Sequence, residues 1–467
     1  MNQETRLEKD SIGELEVPAE AYYGVQSLRG AQNFHIIDQK LNPHFIKNMA
    51  RIKKAAAIAN YNIGELSPEK KDAIVQACDE VVLGLFDAAF IVDAIQGGAG
   101  TSANMNANEV IANRAIEILD GRKGDYSVVH PNDDVNRAQS TNDVIPTAGR
   151  MTVIDLIAPL LEKMELLRAA FAQKAVEFDG IIKMGRTQMQ DAVPIRLGQE
   201  FTAYATVIGR DIKRIMQAER EMHSINMGGS AIGTSINVEP QYLEQIAPLL
   251  SEVAGYPLTK ADDLIDATQN LDSFAVVSSA LKTFAINLSK ICNDLRLMSS
   301  GPRTGFQEIF LPSKQNGSSI MPGKVNPVIP EVVNQVAFLV MGHDLTISAV
   351  IEAGQLELNA FEPVLFYQLF ESITALTAAV DTFTVNCVEG IKANIDRCRE
   401  NVNKSIGVVT AIVPFIGYQR AADIAKESLR TGMSVRRIIL RDGLLSEEEL
   451  ARILDPVSMT EPRRVLE

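Results

Sequence analysis

Residues 274–295 read FAVVSSALKTFAINLSKICNDL. Phe274, Val277, Leu281, Phe284, Leu288, Ile291 and Leu295 recur at alternating spacings of 3 and 4. That is the period of an α-helix whose apolar seam is sustained over about six turns. Val276, Ala280 and Ile286 add apolar surface on a second face. A long helix that is apolar on two sides must be covered by several partner helices, which predicts a bundle, within the chain or between copies of it.

The same periodicity extends outward from this segment. It predicts further helices over roughly 72–97, 104–120, 147–175, 194–222, 328–350 and 361–392, with a kink at Pro159. Strand-like alternation is scarce, and the first 30 residues are expected to hold short strands. The fold class is therefore mainly α. Loops rich in Gly, Ser, Thr and Asn punctuate the helices at 97–106, 130–143, 185–192, 228–238 and 301–327. Residues 1–142 read as an N-terminal domain, 143–396 as a central helix-bundle domain and 397–467 as a small C-terminal domain.

Composition narrows the function. The chain has 467 residues, 46% hydrophobic and 22% charged, which is globular and long enough for a large core. A net charge of −14 argues against nucleic acid or an anionic membrane as partner. An anionic small molecule stays open, because a site is governed by its local groups. Cys78, Cys292, Cys387 and Cys398 form no CxxC pair, so a reduced, cytoplasmic setting is expected. The charged N-terminus resembles no secretory signal, and no membrane span is expected. The apolar stretch Ile406–Tyr418 is short and contains Pro414, so it reads as a buried segment.

Phosphate loops, dinucleotide fingerprints, HExxH and GxSxG motifs are absent. The five histidines (His35, His44, His130, His223 and His343) are scattered without metal-ligand spacing. No catalytic metal is expected to be required, while activation by Mg²⁺ stays open. Gly97–Ser102 reads as a helix cap followed by a helix start rather than as a phosphate cradle.

The polar loops share an inventory: Thr101, Ser140, Thr141, Asn142, Thr187, Gln188, Ser318, Ser319, Lys324 and Asn326. These are neutral donors and one cation, with no acid among them. Such a set suits a carboxylate, and especially one that gains charge during a reaction. Each hydroxyl or amide taken singly could equally cap a neighbouring helix. Lys324, between apolar and small residues, reads either as a solvated charge or as an anchor for an anion.

Five blocks in order carry a resemblance. They are GAGTSANMNANEV at 98–110, HPNDDVNRAQSTNDVIPT at 130–147, GRTQMQDAVPIRLGQE at 185–200, GSSIMPGKVNP at 317–327 and GQLELNAFEPV at 354–364. Together, and over nearly the whole chain, they resemble the aspartase/fumarase superfamily, whose members cleave succinyl-type substrates and release fumarate. The resemblance implies a three-domain, mostly helical subunit. It also implies a homotetramer around a central bundle of long helices, with each active site lined by three subunits.

Within the superfamily, the blocks are more similar to the aspartase branch than to the class II fumarate hydratases. Fumarases of this class read GSGTQ, QSSND and GRTH where this chain reads GAGTS, QSTND and GRTQ. Ala103 and Ala138 stand where the family often has other residues. The aspartase reading implies reversible conversion of L-aspartate to fumarate and ammonium through an enediolate. Ser318 would be the base. Thr101, Ser140, Thr141 and Ser319 would hold the β-carboxylate. Thr187, Lys324 and Asn326 would hold the α-carboxylate, with Asn142 and Gln188 at the amino group. Residues 313–327 would close over substrate. The alternatives are a fumarate hydratase, another fumarate-releasing lyase, or a helical protein that kept the fold and lost activity.

Overall fold

The structure, a computed structural model, describes residues 4–317, 319–455 and 458–461. Ser318, the expected base, lies outside the described residues. The elements in chain order begin with the strands β1 (Thr5–Lys9) and β2 (Glu14–Pro18), followed by α1 (Val25–Asn33), α2 (Pro43–Asn62), α3 (Pro68–Val82), α4 (Thr101–Ile118) and α5 (Thr141–Glu177). Next come β3 (Ile182–Thr187), β4 (Gln190–Arg196), α6 (Leu197–Glu219), α7 (Pro240–Ala254), α8 (Leu264–Gln269), α9 (Asp272–Met298), α10 (Val328–Glu352) and α11 (Glu362–Asn386). Shorter helices follow, among them Ile395–Lys404 and Tyr418–Thr431. The fold is mainly α, as the periodicity predicts. Among the described residues the strands form only two-stranded pairs, and β1 and β2 are antiparallel with Leu7 opposite Glu16.

Contacts divide the chain into two compact units. One comprises Met1–Leu161, Lys213–Thr283 and Phe338–Leu376; the other comprises Glu162–Ile212, Phe284–Ala337 and Thr377–Glu467. The long helices α5, α6, α9, α10 and α11 contribute residues to both.

In the first unit, α2 starts at Pro43 behind the N-cap Asn42, whose side chain accepts from the His44 N–H. Proline fits there because its missing donor would have no intrahelical partner. Phe45, Phe274, Phe366 and Phe370 form an aromatic cluster. In the second unit, Phe171, Phe178, Phe201, Tyr204 and Phe383 form another. Seven buried apolar residues from Ile412 to Ile453 make a small core near the C-terminus.

All seven seam residues of α9 are at most 1% exposed. The second face behaves differently, with Val276 and Ile286 left 42% and 47% exposed on the single chain. Among the described residues, four helices are long and apolar enough, by length and composition, to cross a membrane. In α5, 78% of the qualifying window is instead buried within the protein.

The predicted helix over 72–97 is corrected. α3 ends at Val82, and Gly84 follows in the left-handed region at φ +82°. The apolar run beyond it, with Leu83 and Leu85 exposed, continues no buried face. α2 and α7 were not foreseen. α5 is longer than predicted and runs on through Pro146 and Pro159.

Glu362 opens α11 with a fully buried carboxyl, and neither oxygen has a hydrogen-bond partner among the described residues. Burial pushes its pKa well above the ordinary value, opposed only by the charge of Arg150. The folded chain therefore keeps a proton that the unfolded chain releases above about pH 4.5, so wild-type stability falls as pH rises from there. Glu362→Gln cannot titrate. Its stability relative to wild type should grow from pH 5 to pH 8, by up to about 1.4 kcal/mol per pH unit, as read by urea unfolding. A pH-independent difference would contradict a protonated Glu362.

Candidate active site

The predicted site residues fall into two sets, one per unit. Thr101, Ser140, Thr141 and Asn142 stand in the first, and Thr187, Gln188, Ser319, Lys324 and Asn326 in the second.

In the first unit, the set occupies the opening turns of two helices. α4 begins at Thr101 after Gly100, at φ +87°, which sits against Ile145 of α5. Gly97–Ser102 is thus a helix start, as predicted, but α3 ends too early for it to cap a preceding helix. The Thr101 hydroxyl donates to the Gly98 carbonyl at 2.6 Å. Ser140 precedes α5, and its Oγ accepts from the Asn142 N–H at 3.2 Å. Asp143 Oδ1 accepts from the Ser140 N–H at 2.9 Å. This is reciprocal capping, so the bland reading of Ser140 holds. It does not exclude a site role, because the Ser140 proton is not consumed by the cap.

Pro146 is the sixth residue of α5 and has no N–H to give the Asn142 carbonyl. The side chain of Asn226 replaces that donor, at 3.0 Å. Asn142 Nδ2 in turn donates to the Ala231 carbonyl at 2.7 Å. A carbonyl only accepts, so this bond fixes the amide and leaves Oδ1 as an acceptor.

Beneath these turns lie groups that the sequence reading missed. Lys53 of α2 is 0% exposed, and its Nζ donates to Asn104 Oδ1 at 2.8 Å and Asn136 Oδ1 at 2.7 Å. Burial pulls its pKa down to about 7 against the opposing charge of Asp143. Asp143, also fully buried, accepts from the Gly228 and Ser230 N–H groups at 3.1 and 3.0 Å. Desolvation raises its pKa to about 6, while these backbone donors and Lys53 oppose the rise. Asp143 therefore ties the start of α5 to the loop at 228–230. Asn104 and Asp143 lie inside the quoted sequence blocks, which was the available signal. Lys53 reads in sequence like any solvated helical lysine.

In the second unit, Thr187 and Gln188 sit at the tip of the β3–β4 hairpin, where Thr187 pairs with Gln190. Gln188 and Met189 both have positive φ, 53° and 64°, the signature of a type I′ turn. The turn leaves Gln188 exposed. A buried charge cluster anchors β3. Glu308, 0% exposed, accepts from Arg186 at 2.9 Å and pairs with Lys183 at 3.2 Å. Arg186 also lies over the Phe306 ring, 4.4 Å from its centroid.

The loop before α10 is built on backbone closeness. The Lys324 N–H meets the Met321 carbonyl at 3.2 Å, with Pro322 and Gly323 between them and Gly323 at φ +81°. That is the chemistry of a type II turn. A Cβ on Gly317 would lie 1.7 Å from the Lys324 carbonyl oxygen, so only glycine fits. Lys324 and Ser319 are exposed, and neither side chain has a hydrogen bond or ion pair among the described residues.

Comparison with known proteins gives the family. Residues 13–342 match a family described as lyase, and residues 408–461 match the fumarase C C-terminus. Aspartate ammonia-lyases from a Bacillus species and from Bacillus subtilis are 54% and 53% identical, covering 99% and 98% of this chain and 99% and 97% of theirs. The chain belongs to the aspartase/fumarase superfamily. It is a carbon–nitrogen lyase by kinship with these aspartate ammonia-lyases. Solved relatives include a fumarate lyase:delta crystallin from Brucella melitensis bound to cobalt, with TM-score 0.96 and 49% identity over 98% of this chain and 100% of that one. A class II fumarase from Schistosoma mansoni has the same TM-score at 33% identity, over 99% of this chain and 100% of its own. The near-identical fold across that identity range means that side chains, not backbone, divide the branches.

Removing Glu308 would leave Arg186 without its anion and Lys183 with Glu200 alone, at 2.8 Å. Glu308→Ala should destabilise the protein by about 3–5 kcal/mol, measured by urea unfolding. Loss below about 1 kcal/mol would mean that the cluster does not anchor β3.

Proposed function

We propose that this lyase converts L-aspartate reversibly to fumarate and ammonium. The support that carries the reading is identity of 47–54% to aspartate ammonia-lyases over nearly the full chain. Gln188 argues against the fumarase alternative, standing where the fumarase-type loop resembles GRTH.

The difficult step is removal of a proton from the carbon beside the β-carboxylate. The electron pair left behind moves into that carboxylate as an enediolate, then returns to form the C=C bond as the C–N bond breaks. Ammonia leaves with the bonding pair and takes up a proton. Stabilising the enediolate requires donors already aimed at it. Ser140 and Thr141, whose oxygens accept from protein N–H groups, have hydroxyl protons left for this role, together with Thr101 and Ser319. The Thr101 proton must first leave the Gly98 carbonyl. Lys324, Thr187 and Asn326 hold the α-carboxylate. Asn142 Oδ1, the amide atom left as an acceptor, suits the ammonium, beside Gln188. Ser318 is the base, activated by loop N–H groups and the cation nearby.

The active protein on this reading is a cytoplasmic homotetramer, with residues of the two sets supplied to one site by different copies. Val276, Ile286, Phe338 and Leu345 support it, since these apolar residues remain 42–73% exposed on a single chain and need a cover. No step is routed through a metal.

Two measurements test the reading. Purified protein given L-aspartate should generate the ultraviolet absorbance of fumarate, and given L-malate should not; fumarate from malate alone would favour the hydratase. Ser318→Ala should lower kcat by at least about 100-fold with the circular dichroism spectrum retained. Near-normal turnover would remove Ser318 from the role of base.

A further inference from the structure

Thr141 differs from several other helical threonines of the chain in what its hydroxyl does. Thr152 and Thr268 donate to the carbonyl four residues back, at 2.7 Å each. Thr141 instead accepts, from Asn104 Nδ2 at 3.2 Å. The carbonyl four residues before it, that of Arg137, already receives Asn60 Nδ2 and Gln139 Nε2, both at 3.1 Å. A hydroxyl has one proton. With its oxygen receiving Asn104, that proton remains to be given to another acceptor.

The direction is set one residue deeper. As an ammonium, Lys53 has donors only, so the oxygen it meets at 2.8 Å is Asn104 Oδ1. The Asn104 amide therefore cannot flip, and its Nδ2 must face outward, to Thr141 and, at 3.3 Å, to Asn136 Oδ1. The second amide is fixed in the same way. Asn136 Oδ1 accepts from Lys53 at 2.7 Å, and its Nδ2 donates to the Gln139 carbonyl at 3.2 Å, just ahead of Ser140. A fully buried lysine thus imposes donor direction on both amides that support the start of α5.

We propose that Lys53 and Asn104 are positioning residues, a one-way hydrogen-bond relay that holds the Thr141 hydroxyl as a donor toward the substrate's β-carboxylate. The proposal rests on the functional reading above. It assigns no contact between Lys53 and substrate. What the relay supplies is orientation, so that the Thr141 proton need not reorganise as charge develops on the enediolate.

The informative variant is Asn104→Asp in the full-length chain. It preserves size and gives Lys53 a carboxylate partner, so folding is favoured. The atom facing Thr141 becomes an acceptor, and the threonine proton turns inward. The expected result is a fall in kcat of about 100-fold with a smaller change in KM, and Lys53→Met should fall in the same direction. Thr141→Val should show a similar loss. Because the relay acts through Thr141, the double variant Asn104→Asp/Thr141→Val should be no worse than the poorer single variant. Asn104→Asp within threefold of wild type, or losses that multiply in the double variant, would overturn the relay. Wild-type fumarate formation from L-aspartate is measured alongside. Its absence would overturn the functional reading and this proposal with it, whereas an active wild type with unaffected variants would overturn the relay alone.

Discussion

The apolar seam of α9 must be dry. Burying each side chain of this size contributes about 1.5–3 kcal/mol, and seven of them are buried along one helix. Nothing but other helices covers such a length of seam. Much of the chain is accordingly devoted to long helices, and Ser-, Thr- and Asn-rich loops join their ends. Helix ends carry unpaired N–H and C=O groups, so the Ser-, Thr- and Asn-rich loops there serve first as caps. Ser140 shows how a cap becomes a candidate site residue. Its oxygen satisfies a backbone donor while its proton stays available.

Beneath those ends, burial imposes a second constraint. An unpaired polar group inside a protein is costly, so Lys53 and Asp143 are hydrogen-bonded wherever their chemistry allows. An ammonium can only donate and a carboxylate can only accept. Bonds of fixed direction spread from these two residues into Asn104, Asn136 and the N–H groups of Ser140, Gly228 and Ser230. The same logic operates in the second unit, where Glu308 gathers Lys183 and Arg186 under β3. Pro146 extends it to the backbone, since the donor it lacks is supplied by Asn226. Glu362 is one exception among the described residues, a buried carboxyl without a hydrogen-bond partner whose pKa burial raises.

Much of the fold was legible because helical periodicity is a local property. The seam at 274–295 and the helices α4, α5, α6, α10 and α11 follow from spacing. The overextension of α3 past Val82 shows where spacing misleads, because apolar residues continued after the buried face had ended. The candidate site was legible in a different way. The residue types in the loops pointed to a carboxylate, and five ordered blocks pointed to the superfamily, which the comparisons bear out. Lys53 was invisible to both approaches, being chemically indistinct from neighbouring lysines until its surroundings are known.

The sequence by itself determined the helical class, the superfamily and the inventory of donors available to an anion. These depend on residue identity and short-range order. The tertiary structure alone decided which of those donors are already committed, as with Thr101 on Gly98, and which accept a hydrogen bond with their own proton still to give, as with Ser140. It also decided which charges are buried. The direction of a hydrogen bond is settled by whichever group stands on its far side, and in this chain that group is often 50 or more residues away.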